Sequence, residues 1–273
     1  MPAPRLLISD VDRTMLTHDY ILPERVAAAL AAARAGGMRL VVATARSPAG
    51  VRPYAEQVGA GALAICFNGG WIGDVSSSTA WHEQRIPRQD ALDAMEAAAQ
   101  AGLRPMWFAG SAIHALSDDP LIAHEAAVTS EPVHVTDNLE DLPDEPGKIM
   151  CVAATAADRE GFEALRVRFG ERLSVSGSHP RLLEIGPLGV SKRFAAEIVA
   201  SRLGFDRADC AAAGDAENDL EMLAWAGRAV TVANGVPEAK QLAAFIAPSC
   251  DAGGLADAVD WLMRDERALT AAL

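Results

Sequence analysis

The sequence predicts an α/β fold in which a doubly wound parallel sheet is interrupted by an inserted α+β domain. Short apolar runs alternate with alanine-rich amphipathic segments over the first 80 residues, and this alternation returns after residue 181. Between these regions, extended runs follow one another without an intervening helix. We therefore predict a core domain over 1–80 and 181–273, and an inserted domain over 81–180.

The first core segment contains three predicted strands and two predicted helices. The strands are LLISDVD, RLVVATAR and ALAICFNGGWI. The first helix runs from Pro23 to Ala35 and ends at Gly36, a residue type that suits a helix C-terminus. The second begins at Ser47 and Pro48, because serine caps a helix N-terminus and proline fits its first turn. This alternation is typical of a parallel sheet with helices on both faces.

The inserted region has a different pattern. Two extended runs, RPMWFAG and SAIHALS, lie close together, and helices are predicted over Gln89–Ala101 and Asp158–Phe169. The acidic stretch TDNLEDLPDEPGK between them is typical of an exposed connection, so its Lys148 is expected to be a solvated surface charge.

The last core segment returns to alternating strands and helices. It begins with LLEIGP at Leu182, which is followed by a helix over Ser191–Leu203. The run CAAAGD and a helix ending at Trp225 come next, and then AVTVAN, a further helix and AFIAPS.

The composition excludes several classes of partner. The 273 residues include 24 basic and 37 acidic ones, a formal net charge of −13, which repels nucleic acid and anionic membrane surfaces. No apolar run reaches the roughly 18 residues of a membrane span, and the start MPAPRLLISD lacks a signal-peptide pattern. The four cysteines have no paired spacing, which favours a reduced, cytoplasmic protein. No oligomeric state is predicted.

Polar side chains occur at the ends of predicted strands and at the start of one helix. In an open parallel sheet, ligands bind outside the carboxyl ends of the strands. The candidates are Asp10 and Asp12 in DVD, Thr44 in ATAR, Lys192 in GPLGVSK, and Asp215, Glu217, Asn218 and Asp219 in GDAENDLEML.

Each of these groups also has a structural interpretation. A DxD pair can form a turn, a threonine often ends a strand, and acidic residues stabilise a helix N-terminus. The loop before Lys192 lacks the spacing of a P-loop. Together, however, the groups predict a site of several carboxylates, a lysine and a hydroxyl, which suits Mg²⁺. The absence of HExxH and paired-cysteine spacing disfavours zinc, and the six histidines are expected at surface or core positions.

The ordered motifs DVD, ATAR, GPLGVSK and GDAENDLEML resemble those of the haloacid dehalogenase superfamily. The insertion, together with NGGWI, LLEIGP and VANGVPEAKQLA, is similar to the Cof-like branch with a type IIB cap. The resemblance implies a Rossmann-like core and a cap over 81–180. It also implies a Mg²⁺-dependent phosphatase that acts on a small phosphorylated metabolite, such as a sugar phosphate.

The resemblance further implies a role for each matching residue. Asp10 would be the nucleophile that forms an aspartyl-phosphate, and Asp12 would protonate the leaving oxygen and then activate water. Four residues would bind phosphate: Thr44, Ala45, Lys192 and Asn218. Four would hold Mg²⁺ or support its ligands: Asp10, Asp12 through its backbone carbonyl, Asp215 and Asp219.

Arg13 departs from the family pattern, which usually has glycine at this position. Two interpretations are open: the side chain points away and the loop tolerates it, or the cation lowers the pKa of Asp12 and weakens the general acid. The second interpretation would leave a weakly active or inactive protein that binds Mg²⁺ and a phosphometabolite. A phosphotransferase or mutase would use the same nucleophile and is a further alternative.

The cap is expected to act as a lid that excludes water and contacts the leaving group. Three residues are candidates for substrate contact: Arg46 and Asn68 near strand ends, and His179 near the cap junction. Each of them also fits a structural role.

Overall fold

The computed structural model describes residues 3–61, 63–155 and 158–264. The two ends of the predicted core domain, 1–2 and 265–273, lie outside the described residues. The chain forms two compact units. The first unit comprises the described parts of Met1–Thr44, Pro53–Ile65 and Lys192–Leu273, and the second comprises those of Ala45–Arg52 and Cys66–Ser191. Within the described ranges, no helix combines the length and apolar character needed to cross a bilayer.

An eight-stranded sheet has the strand order β14-β13-β12-β1-β2-β3-β4-β5. Its strands are β1 (Leu6–Ser9), β2 (Arg39–Ala43), β3 (Leu63–Cys66), β4 (Trp71–Asp74), β5 (Thr79–Glu83), β12 (Cys210–Ala213), β13 (Arg228–Val232) and β14 (Phe245–Ala247). The neighbours from β14 to β3 all pair in parallel, whereas β4 and β5 form an antiparallel pair. The predicted parallel α/β core is confirmed.

Strand β1 occupies a central position, between β2 and β12. All four of its residues are buried, as expected for a parallel strand that is covered on both faces. The helices that alternate with these strands are α1 (Glu24–Ala35), α2 (Pro48–Gln57), α6 (Lys192–Leu203), α7 (Leu220–Trp225), α8 (Pro237–Leu242) and α9 (Gly254–Met263). The predicted start of α2 is observed, because the backbone N–H of Gly50 donates to Oγ of Ser47 at 3.0 Å.

The second unit contains a six-stranded sheet of order β10-β11-β9-β6-β7-β8. Its strands are β6 (Arg104–Ala109), β7 (Ala112–Ala115), β8 (Val133–Val135), β9 (Lys148–Val152), β10 (Leu173–His179) and β11 (Leu182–Pro187). Its helices are α3 (Arg88–Gln100), α4 (Pro120–Thr129) and α5 (Arg159–Phe169). Buried residues of α3, α5 and the sheet form one apolar core around Trp107 and Phe169.

Two features of the second unit differ from the sequence prediction. Strand β11 corresponds to the LLEIGP run, which was predicted to belong to the core domain. In the structure it pairs with β9 and β10 of the six-stranded sheet. Lys148 is not a solvated surface charge: it is 4% exposed and lies on β9. Its Nζ donates to Oε2 of Glu184 on the neighbouring strand at 2.9 Å and lies 4.3 Å from the ring centroid of Phe108. The carboxylate and the ring compensate for burial of this ammonium group.

Candidate active site

Asp10 lies immediately after the central strand of the parallel sheet. Its backbone N–H continues the ladder by donating to the carbonyl of Ala213 at 2.9 Å, and the residue is 6% exposed. Asp12 follows in the turn and is half-buried. Thr14 is buried, and its hydroxyl donates to Oδ1 of Asp215 at 2.8 Å. The turn after β1 is therefore tied to a segment 201 positions away.

The segment Gly214–Asp219 forms the second wall of the site. Oδ2 of Asp219 accepts hydrogen bonds from the backbone N–H groups of Asp215 at 2.9 Å and Ala216 at 3.0 Å. A Cβ atom on Gly214 would lie 2.5 Å from Cβ and Cγ of Asp219, so the fold requires glycine here. The carboxylate of Asp219 thus holds the turn that presents Asp215.

Lys192 joins these two segments. It begins α6, is 1% exposed, and its Nζ donates to Oδ1 of Asp10 at 2.5 Å and to Oδ1 of Asp219 at 2.6 Å. Its Nζ therefore bridges two buried carboxylates from separate parts of the chain. This contact brings together three of the four sequence motifs in one unit.

The carboxylates of the site repel one another in a dry environment. Burial raises the pKa of Asp10 well above its usual value, and neighbouring acids raise it further against the opposing effect of Lys192. Burial and Asp219 raise the pKa of Asp215 to about 7, while the Thr14 hydrogen bond, Lys192 and Arg13 oppose this rise. Burial alone would lower the pKa of Lys192, but Asp10 and Asp219 outweigh burial and raise it.

The cluster has the composition of a site for a hard divalent cation. Asp10, Asp215 and Asp219 each offer a carboxylate oxygen, and these oxygens lie within 4.8 Å of one another. A dication would offset the mutual repulsion that raises the pKa values of Asp10 and Asp215. Both oxygens of Asp219 already accept hydrogen bonds from Lys192 or the backbone. Asp10 and Asp215 are therefore better able to bind an ion, and Asp219 holds Lys192 and the turn that carries Asp215.

The predicted phosphate-binding residues lie in different settings. Thr44 directly follows β2 and is fully buried, and its backbone N–H donates to the carbonyl of Ile65 at 2.9 Å. That N–H is thus committed to the sheet. Asn218 is half-buried beside Asp219 in a short 3₁₀ turn over Glu217–Asp219. Ala45 is half-buried and belongs to the second unit.

The predicted substrate-contacting residues all belong to the second unit. Arg46 is 4% exposed, and its Nη1 donates to the carbonyl of Val128 at 3.0 Å. Asn68 is half-buried and has a left-handed backbone with φ of 54°. His179 is half-buried at the end of β10, where its Nδ1 accepts from the N–H of Arg181 at 3.2 Å. Their proposed contact with a substrate stays a prediction.

Arg13 has a left-handed backbone with φ of 62°, which explains why glycine would be easier to accommodate there. Its carbonyl accepts a hydrogen bond from Nδ2 of Asn234 at 2.9 Å. Its positive charge lowers the pKa of Asp215. Arg13 therefore acts on the proposed metal ligand Asp215, a partner that neither sequence interpretation considered.

Thr14 and Asn234 were not singled out from the sequence, although both hold the site. Thr14 lies two residues beyond Asp12, so the alternation DxDxT was a signal within the motif itself. Asn234 lies in VANGVPEAKQLA, and its contact with Arg13 spans 221 positions. Sequence spacing alone gives no means of detecting that contact.

Known proteins resemble this chain over most of its length. A family model described as haloacid dehalogenase-like hydrolase matches residues 7–259. The HMP-PP phosphatase of Cronobacter sakazakii is 29% identical in an alignment of 246 positions, which covers 86% of this chain and 86% of that protein.

Solved structures share the fold over nearly the whole chain. A haloacid dehalogenase-like hydrolase from Bacteroides thetaiotaomicron aligns with a TM-score of 0.83 and 26% identity, and covers 95% of this chain and 99% of its own. A sugar phosphatase of subclass IIB of the HAD superfamily aligns with a TM-score of 0.81 and 16% identity, over 94% of this chain and 98% of its own.

Proposed function

The chain belongs to the haloacid dehalogenase-like hydrolases, and from this premise we propose that it is a Mg²⁺-dependent phosphatase. Its proposed substrate is a small phosphorylated metabolite, a sugar phosphate or similar phosphomonoester. The observation that carries the proposal is the Lys192 ammonium group, which bridges Asp10 and Asp219 beside Asp215. The resemblance to subclass IIB agrees with the solved structures that share the fold.

Asp10 would act as the nucleophile. One of its carboxylate oxygens attacks the phosphorus atom, the bond from phosphorus to the ester oxygen breaks, and an aspartyl-phosphate forms. Asp12, two residues further on, gives its proton to the departing oxygen. Asp12 then takes a proton from a water molecule, and the resulting hydroxide attacks the same phosphorus atom. This step releases inorganic phosphate and restores the Asp10 carboxylate.

Lys192 would neutralise the transferred phosphoryl group. Its contact with the Asp10 carboxylate supports this role. Thr44 and Asn218 would donate to other phosphoryl oxygens, and Ala45 would contribute its backbone. Phosphoryl transfer depends mainly on positioning and on compensation of negative charge, which these groups supply.

Mg²⁺ would be held by Asp10, Asp215 and the backbone carbonyl of Asp12, with Asp219 as support. When bound, the ion supplies positive charge that stabilises the phosphoryl oxygens during transfer. Thr14 and Asp219 keep the Asp215 turn in place for this role.

The test is phosphate release from p-nitrophenyl phosphate with and without Mg²⁺. We expect turnover by the wild-type protein that is lost on chelation, and a decrease of about 10³-fold or more in Asp10→Asn, as for other enzymatic nucleophiles. Asp19→Asn, in the exposed part of the same loop, is the matched control and should retain activity. Turnover that survives Asp10→Asn would overturn the mechanism.

Two outcomes would favour the other functions. Binding of Mg²⁺ and of phosphorylated compounds without turnover would indicate a binding protein. Transfer of phosphate to a second sugar hydroxyl, rather than to water, would indicate a phosphotransferase or mutase. Because the related proteins include both a sugar phosphatase and an HMP-PP phosphatase, a substrate screen should contain both compound classes.

A further inference from the structure

A second group of side chains that could hold a metal ion lies in the first unit and shares no residue with the carboxylate cluster. It consists of His18, Cys250 and Asp251, which offer one nitrogen, one sulfur and one oxygen within 4.8 Å of one another. His18 Nδ1 lies 2.9 Å from Asp251 Oδ2 and 3.4 Å from Cys250 Sγ. Cys250 Sγ lies 3.8 Å from Asp251 Oδ1.

The separation of His18 Nδ1 and Cys250 Sγ is close to that of two ligands on one tetrahedral ion, and each of these atoms also lies near one of the two Asp251 carboxylate oxygens. Zinc bonds of about 2.0–2.3 Å at tetrahedral angles place neighbouring ligand atoms about 3.3–3.6 Å apart. The backbone N–H of His18 also donates to Oδ1 of Asp251 at 2.9 Å, which fixes the loop that carries the imidazole. Side-chain adjustments of a few tenths of an ångström would therefore complete the arrangement.

The donor types favour a thiophilic cation over Mg²⁺, and the exposure of two of the side chains gives the ion access from solvent. Thiolate and imidazole are ligands that Zn²⁺ prefers, whereas Mg²⁺ prefers oxygen alone. Cys250 is buried, but the side chains of His18 and Asp251 are 40% and 57% exposed. A metal ion therefore has access from solvent, and one coordination position can be taken by water.

We propose that His18, Cys250 and Asp251 form a Zn²⁺ site, with a water molecule as the fourth ligand. Binding displaces the proton of the Cys250 thiol to solvent. The contact with Asp251 Oδ2 puts a proton on His18 Nδ1, and this proton moves through solvent to Nε2 so that Nδ1 can coordinate the ion. No electron transfer is involved. The site is separate from the carboxylate cluster but connected to its loop, because Asn234 accepts from the N–H of Cys250 at 2.8 Å and donates to the carbonyl of Arg13.

The surroundings of Cys250 favour the protonated thiol when no cation is bound. Burial, followed by the charges of Asp251 and Asp215, raises the pKa of Cys250 to about 11. A thiol in these surroundings is inert as a nucleophile and is stabilised as a thiolate by a bound cation. We therefore expect Zn²⁺ binding to release a proton and to weaken as the pH falls.

The experiment uses the full chain, freed of metal by a chelator and titrated calorimetrically with ZnCl₂, and separately with CoCl₂ as a probe of thiolate coordination. We expect a Zn²⁺ site that excess Mg²⁺ does not block, and a sulfur-to-cobalt charge-transfer absorption band. Both Cys250→Ser and His18→Ala should lower the zinc affinity of this site by about 100-fold or more. Loss of a residue that only hydrogen-bonds to a metal ligand already lowers metal affinity by about 10–100-fold, and these variants remove a ligand itself.

Two controls keep the result specific. Cys210→Ser removes another buried thiol of the same unit, whose Sγ donates to the carbonyl of Asp206, and should leave both signals unchanged. Asp10→Asn should also leave the cobalt–thiolate band unchanged, so the outcome does not depend on the proposed phosphatase. Absence of the band, or equal zinc affinity in the exposed-site variant His18→Ala, would overturn the proposal.

Discussion

Arg13 differs from the glycine that is usual in the family motif, and its backbone has a conformation that favours glycine. Its φ of 62° lies in the left-handed region, which costs a residue with a Cβ atom roughly 1–2 kcal/mol. The hydrogen bond from Asn234 to its carbonyl holds this conformation. The backbone of the turn is thus kept in the form that glycine would adopt, while an added cation lowers the pKa of Asp215.

We predict that Arg13→Gly is more stable than Arg13→Ala by about 1 kcal/mol, because only glycine adopts a positive φ without strain. Both variants lose the guanidinium group, so the difference isolates the backbone conformation. Urea denaturation of the two proteins measures it. Equal stability of the two variants would show that the turn relaxes when Arg13 is replaced.

The individual site residues were predictable to different degrees. Asp10, Lys192, Asp215 and Asp219 follow from local motifs, and the structure brings them together. The Lys148 prediction was wrong because its partner, Glu184, lies 36 positions away on a neighbouring strand. The residues around Lys148 in the sequence suggested an exposed loop, but the burial of its side chain depends on which strands pair. The cluster of His18 and Cys250 escaped detection for the same reason.

At the scale of elements, α4 illustrates a helix whose start signal was present in the sequence. Asp119 caps it by accepting from the N–H of Leu121 at 2.9 Å, and Pro120 occupies its first position. Asp119 also pairs with Nε of Arg104 on β6 at 2.9 Å. No helix was predicted over Pro120–Thr129, although both start signals stand in the sequence.

We predict that the stabilisation from Asp119 depends on pH. The Leu121 N–H, and then Arg104, lower the pKa of Asp119 below its usual value. A lowered folded-state pKa stabilises the protein above the unfolded-state pKa of about 3.9, and the stabilisation is lost as the pH falls through the folded-state value. Asp119→Ala should therefore cost about 1 kcal/mol at neutral pH and less in acid.

Urea denaturation at about pH 7 and about pH 3 measures this difference on either side of the ordinary aspartate pKa. Asp118→Ala, at the exposed preceding residue, is the control. A cost for Asp119→Ala that is the same at both pH values would contradict the assignment.

Strand composition predicted where strands occur but not always the sheet to which each belongs. The run LLEIGP has the apolar character of a core strand, yet β11 pairs with β9 and β10. Residues that favour extended backbone are the same in both sheets, so membership depends on long-range pairing that a single sequence does not display. The parallel core was easier to predict because its strands and helices alternate regularly.

For the whole molecule, the net charge of −13 acts together with the carboxylate cluster. Both attract divalent cations, and the long-range part of this attraction is screened over about 10 Å at 0.1 M salt. We predict that the Mg²⁺ concentration giving half-maximal phosphatase activity rises several-fold between low salt and about 0.2 M sodium glutamate.

The measurement is a Mg²⁺ titration at fixed substrate concentration in each buffer. The rate at saturating Mg²⁺ is the internal control and should change little, because the buried charges around Asp10 are screened less than the surface. A half-maximal concentration that does not respond to salt would show that the cluster alone determines Mg²⁺ affinity.

The central position of β1 has a consequence for synthesis on the ribosome. The segment that carries Asp10, the proposed nucleophile, emerges among the first residues, but Lys192 lies 182 positions behind Asp10. Strand β12, the second neighbour of β1, follows still later. A nascent chain that ends before β12 leaves one side of β1 without its hydrogen-bonding partner. Completion of this sheet therefore waits for the final quarter of translation, and hydrolytic competence arrives together with the finished fold.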